Sequence, residues 1–141
     1  MDYSELTDKI KAGEISVGDT LWVVDFRYDN LLNKPTRNLV PTEVVVFQNT
    51  DAYIADFHFR PYGKSGKVTA QKITTWGSGG RNHYATQSIG IFHTEEEANE
   101  YYIAQCETIQ KNVNREQARV TYVYNEILVD IKKRITEAKK V

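Results

Sequence analysis

The chain has 141 residues, is 40% hydrophobic and 26% charged, and carries a formal net charge of −1, which places it with ordinary globular domains and excludes a disordered or fibrous polypeptide. Near-neutrality argues against a general DNA- or RNA-binding protein, whose affinity comes from neutralising many phosphates. No apolar run reaches membrane-spanning length, and the acidic start (Asp2, Glu5) is not followed by a secretory apolar stretch.

The one cysteine, Cys106, has no partner for an intrachain disulfide, so a reducing, cytosolic setting is expected. Charge is uneven along the chain. Residues 1–30 hold seven acids against three bases, residues 31–90 seven bases against three acids, and residues 91–141 nine acids against eight bases. The middle of the chain is therefore suited to a small anion although the whole is near neutral.

In chain order, Tyr3, Leu6 and Ile10 share a face and predict a short helix that ends at Gly13. Residues 21–27 alternate as a strand, with Trp22, Val24 and Phe26 on one face and Val23, Asp25 and Arg27 on the other, which puts Arg27 on the polar side. A loop is expected over residues 29–38, then a buried strand over 42–47 on the run Val44, Val45, Val46. Residues 53–59 alternate again, with Phe57 and Phe59 opposite Asp56 and His58. A basic, turn-rich loop over 60–67 leads to a fourth strand at 68–76, and a fifth is expected at 86–92.

From Thr94 onwards the chain has neither glycine nor proline. Thr94 and Glu97 form a capping box, with Glu95, Glu96 and Glu97 set against the positive helix end. Apolar residues then recur at helical spacing from Ala98 through Tyr102, Cys106, Ile109, Val113, Val120, Tyr124, Ile127, Ile131 and Ile135. One unbroken rod of about 45 residues would be roughly 67 Å long, so a break at residues 111–114, where Asn112 and Asn114 are cap formers, is favoured over a single helix. The apolar strip is too wide for one narrow seam and predicts packing on the sheet and on a second subunit together. The expected fold is thus one α+β domain: a small antiparallel twisted sheet of about five strands with a short N-terminal helix (1–93), then one or two long C-terminal helices (94–141).

Motifs for nucleophilic, metal-assisted or P-loop chemistry are missing, the three histidines fall on different predicted elements, and no cofactor, metal site or catalytic residue is assigned. The richest local cluster is residues 76–84. Its glycines allow backbone N–H groups to approach an anion, Arg81 supplies a guanidinium fork, and Trp76 or Tyr84 can stack on a ring; its plain reading is a hairpin loop flanked by core aromatics. Arg115 and Arg119 lie one helical turn apart and can clasp a phosphate jointly; their plain reading is a solvated face with local pairing to Glu116. Arg27 and Arg60 are further candidate cations.

The Arg-bearing first strand (Trp22, Val23, Val24, Asp25, Phe26, Arg27), the aromatic-rich sheet, the helix entry from Ile91 to Ala98 and the Arg115/Arg119 pair together resemble the phage Thoeris anti-defence sponge family, which sequesters cyclic ADP-ribose isomers made by bacterial TIR enzymes. The resemblance implies a non-catalytic, oligomeric protein, a dimer or larger, that holds its ligand between subunits in the host cytosol and so blocks immune signalling. Arg115 and Arg119 would clamp phosphate, and Tyr84 or Trp76 would stack on adenine. The ligand-binding set expected is Arg27, Trp76, Arg81, Tyr84, Arg115 and Arg119. Two other readings stay open: a protein-interaction module built on the apolar C-terminal helix, and a hydrolase of the same nucleotides.

Overall fold

Asp2 caps the first helix, α1 (Tyr3–Lys11), by accepting the Glu5 N–H on its side chain, and Gly13 (φ 80°) ends the turn after it in the left-handed conformation that a side chain would oppose. Leu6 is fully buried and carries the helix onto the sheet. These features belong to a computed structural model that describes residues 1–31, 34–50, 56–74 and 89–140. The strands are β1 (Thr20–Arg27), β2 (Arg37–Gln48), β3 (Phe57–Pro61), β4 (Ile73–Thr74) and β5 (Gly90–Phe92), followed by the helix α2 (Glu95–Lys139). All neighbours pair antiparallel in the order β4-β3-β2-β1-β5. Four strands have three residues or more, and β4 is a two-residue ribbon at one edge, so the expected α+β class holds.

One face of the sheet joins Leu21, Val23, Val44, Val46, Phe57, Phe59, Ile73 and Ile91 to Leu6 and Ile15 in the core. The other, between β1 and β5, receives the first turns of α2. Ala98 is fully buried there, Tyr102 meets Phe26 edge-on at 5.5 Å, and the Gln105 Oε1 accepts the Phe26 N–H at 3.1 Å. Gly90 makes this approach possible, because a Cβ on it would stand 2.8 Å from both the Phe92 and the Tyr101 rings.

Several expectations are corrected. The face of β1 read as polar is the core face, since Val23 and Asp25 are both fully buried. β2 begins at Arg37, inside the expected loop, and passes through Pro41. The register explains this: Val23 pairs with Thr42 and Asp25 with Leu39, leaving Val40 and Pro41 opposite Val24 alone. In this bulge a missing N–H costs little, because β3 pairs only with Val44 through Gln48 and leaves the other side of Pro41 open. β4 is shorter than expected, and the described part of the fifth strand begins at Gly90. Trp22 is half-buried.

α2 starts as expected, with the Glu97 N–H donating to the Thr94 hydroxyl at 3.2 Å, although the Glu97 carboxylate takes the hydroxyl proton of Thr94. The favoured break at residues 111–114 does not occur, and the helix runs 45 residues. Two asparagines lower helix propensity by only about 0.7 kcal/mol each, too little to end a helix without a glycine or proline. By its internal contacts the chain divides into two compact units, Met1–Cys106 and Glu107–Val141.

Candidate functional site

Three groups of polar side chains remain once the core is accounted for. At the end of β1, Arg27 grips Asp25 with two hydrogen bonds, Nε to Oδ1 at 2.9 Å and Nη2 to Oδ2 at 3.2 Å. Asp25 is fully buried, and that desolvation raises its pKa above the usual carboxylate value while the Arg27 guanidinium pulls the other way. Arg37 stands opposite Arg27 in the register and adds a second cation. Arg27, whose side chain is 39% exposed, is thereby the half-buried partner that keeps the buried Asp25 tolerable inside the sheet.

The second group lies across β2 and β3, where Phe47 pairs with His58. The two rings stack at 5.6 Å between centroids, and the Arg60 guanidinium sits over the Phe47 ring at 4.3 Å. Arg60 Nε donates to His58 Nε2 at 3.0 Å, so the other ring nitrogen carries the proton and donates to Asn49 Oδ1 at 2.5 Å. His58 is 2% exposed, and burial, with Arg60 and Lys72 nearby, brings its pKa down to about 4. The imidazole is therefore neutral at physiological pH and serves as a fixed acceptor for Arg60. Alternation placed His58 on the face opposite Phe57, which is correct; its burial under Phe47 and Arg60 depends on the β2–β3 register.

The third group is on the second unit. Arg115 and Arg119 are both exposed, and Arg119 is bonded to Glu116 through Nε and Nη2. This pairing holds the Arg119 pKa up and the Glu116 pKa down. Among the described residues Arg115 has no ion-pair partner. At about 3.6 residues per turn, Arg115 falls on the side of α2 opposite Val113, Val120, Tyr124, Ile127 and Ile131, and Arg119 lies between the two sides, one turn before Val123. A shallow depression lined by Asn114, Gln117, Ala118, Thr121, Tyr122 and Asn125 runs along the same stretch of helix.

Arg27 belongs to the first unit and Arg115 and Arg119 to the second. Trp76, Arg81 and Tyr84 lie outside the described residues. Among the described residues no group of three His, Cys, Asp or Glu is placed to hold a metal, and no helix is long and apolar enough to cross a membrane. The fold and its polar clusters define an α+β domain with preorganised cations. No protein-family model, curated protein or solved structure matches the chain.

Proposed function

We propose that the protein is a non-catalytic binding protein that works as an assembly of copies of this chain and captures a small nucleotide-derived anion of the cyclic ADP-ribose type, withholding it from the receptor that would read it. The observation that carries the assembly is the second half of α2. Val113 (41% exposed), Val123 (41%), Tyr124 (64%), Ile127 (50%), Leu128 (54%), Ile131 (46%) and Ile135 (49%) fall within one broad strip of the helix, and an uncovered apolar strip of this size marks a contact surface. The ligand class rests on the resemblance drawn from the sequence and on the supply of cations without acids: Arg115 has no ion-pair partner among the described residues, and the middle of the chain is basic. Arg115 faces away from the apolar strip, so a second copy packed on that strip would leave it accessible, whereas Arg119, one turn before Val123, borders the strip.

The test has two readouts. Light scattering gives the mass in solution, and the protein incubated with cyclic ADP-ribose isomers is desalted, heated and its released small molecules separated by chromatography. Assembly with intact ligand released supports the proposal, and altered ligand points to hydrolysis. The same apolar strip also favours an interaction module that blocks a partner protein; a monomer that retains none of these isomers would move the reading there.

A further inference from the structure

The cations of the sheet are not equivalent. Arg27 spends its fork on Asp25, whereas Arg60 is fixed by groups that do not neutralise it: an aromatic face beneath it and a neutral imidazole nitrogen on its Nε. Among the described residues no carboxylate lies within ion-pair distance of Arg60. The bond to His58 uses only the Nε–H, which leaves the terminal amino groups of the guanidinium for another acceptor. His58, almost fully buried and held through Asn49, fixes the direction of the guanidinium before any ligand arrives. Lys72, exposed just before β4, adds a second positive charge near the same imidazole.

We propose that Arg60, held on Phe47 and His58 and assisted by Lys72, is an anion-binding site for the phosphate or pyrophosphate group of a small molecule. The inference rests on the proposed function only for the molecule that carries the phosphate; the site itself stands on the geometry of β2 and β3. Arginine suits this chemistry because its planar fork meets two phosphate oxygens together, and a guanidinium already immobilised loses little freedom on binding. A purely structural Arg60, serving as a cover for Phe47, would leave anion binding unchanged when replaced.

The probe is inorganic pyrophosphate, titrated calorimetrically into the full chain beside cyclic ADP-ribose isomers. One saturable site is expected, weakened about 10- to 100-fold in Arg60→Gln, as the loss of a charge-assisted bidentate contact implies. Arg60→Lys should weaken it as well, because the charge remains but the fork does not. Should Arg60→Gln fail to fold, Lys72→Glu changes only an exposed side chain and is expected to weaken pyrophosphate about tenfold. The site is overturned if the wild-type protein does not bind pyrophosphate, or if Arg60→Gln or Lys72→Glu binds it as the wild type does. Pyrophosphate binding that needs Arg60, without any binding of cyclic ADP-ribose isomers, keeps the site and removes the ligand class proposed above. Isomer binding and pyrophosphate binding both untouched by Arg60→Gln do the reverse.

Discussion

Replacing Ile127 and Ile131 together by Glu tests the surface on which the proposed assembly depends. Fully burying an isoleucine side chain stabilises by about 1.5–3 kcal/mol. Ile127 and Ile131 are 50% and 46% exposed, so a partner can still gain about 1 kcal/mol from each. In a two-fold contact each residue counts twice, which gives about 4 kcal/mol and a roughly thousand-fold weaker association, before any cost of placing carboxylates in the contact. Light scattering across a dilution series reads this as a change from assembly to monomer. Val129→Ser is the control: Val129 is also exposed but lies on the far side of α2 from Ile131, and its replacement should leave the mass unchanged. A wild-type monomer at high concentration, or a double variant that assembles as the wild type does, would refute the reasoning.

Gly90→Ala should lower stability by about 1–3 kcal/mol in urea unfolding, because the new Cβ meets two rings at 2.8 Å; an unchanged midpoint would mean that Tyr101 and Phe92 shift without loss. Arg115→Ala should weaken capture of cyclic ADP-ribose isomers while leaving the melting temperature unchanged, since the side chain is exposed and without an ion-pair partner among the described residues; a large loss of stability would make the residue structural. His58 makes stability depend on pH with a defined sign. Its folded pKa of about 4 lies below the ordinary 6.5, so between these values the unfolded chain binds a proton that the folded chain refuses. Stability should therefore fall as pH drops from about 6.5 to about 4, by up to about 3 kcal/mol. Asp25, with its raised pKa, acts in the opposite direction at the acid end, so the His58 contribution is read as the difference between wild type and His58→Gln; parallel decline of the two would remove it.

Much of the sheet unit is legible in the residues. Alternation around Phe57 and Phe59 identifies the core side of β3, and Tyr3, Leu6 and Ile10 identify α1, because burial on one side imposes a period that the sequence must keep. Thr94 and Glu97 mark the start of α2 because a cap is a local interaction. What escapes is set by register. Pro41 reads as a strand boundary until Val40 and Pro41 are seen to bulge opposite Val24. Asp25 reads as a surface residue until Arg27 is found holding both its oxygens within the sheet. Arg60 reads as a loop-edge cation, and its fixation on His58 and Phe47 follows only from the pairing of β2 with β3. The break expected at residues 111–114 fails for a different reason: propensities of single residues are small beside the cost of ending a helix and exposing its carbonyls.

That same weakness of local terms yields a final expectation for the second half of α2. Residues 107–139 include Thr108, Ile109, Val113, Val120, Thr121, Val123, Ile127, Val129, Ile131, Ile135 and Thr136, branched at Cβ and therefore modest helix formers. The side-chain ion pairs within this stretch, Arg119 with Glu116 and Arg134 with Asp130, are exposed and screened by water. Helix stability in proteins comes mainly from covering an apolar face, and here that face is open. Ellipticity at the helix band should therefore fall as the protein is diluted through its dissociation range, while the near-ultraviolet signal of the sheet unit holds. In the Ile127→Glu, Ile131→Glu variant the low helical signal should already be present at high concentration. Ellipticity independent of dilution, in a protein that light scattering shows dissociating, would mean that the helix stands without its partner and that the exposed strip does not need one.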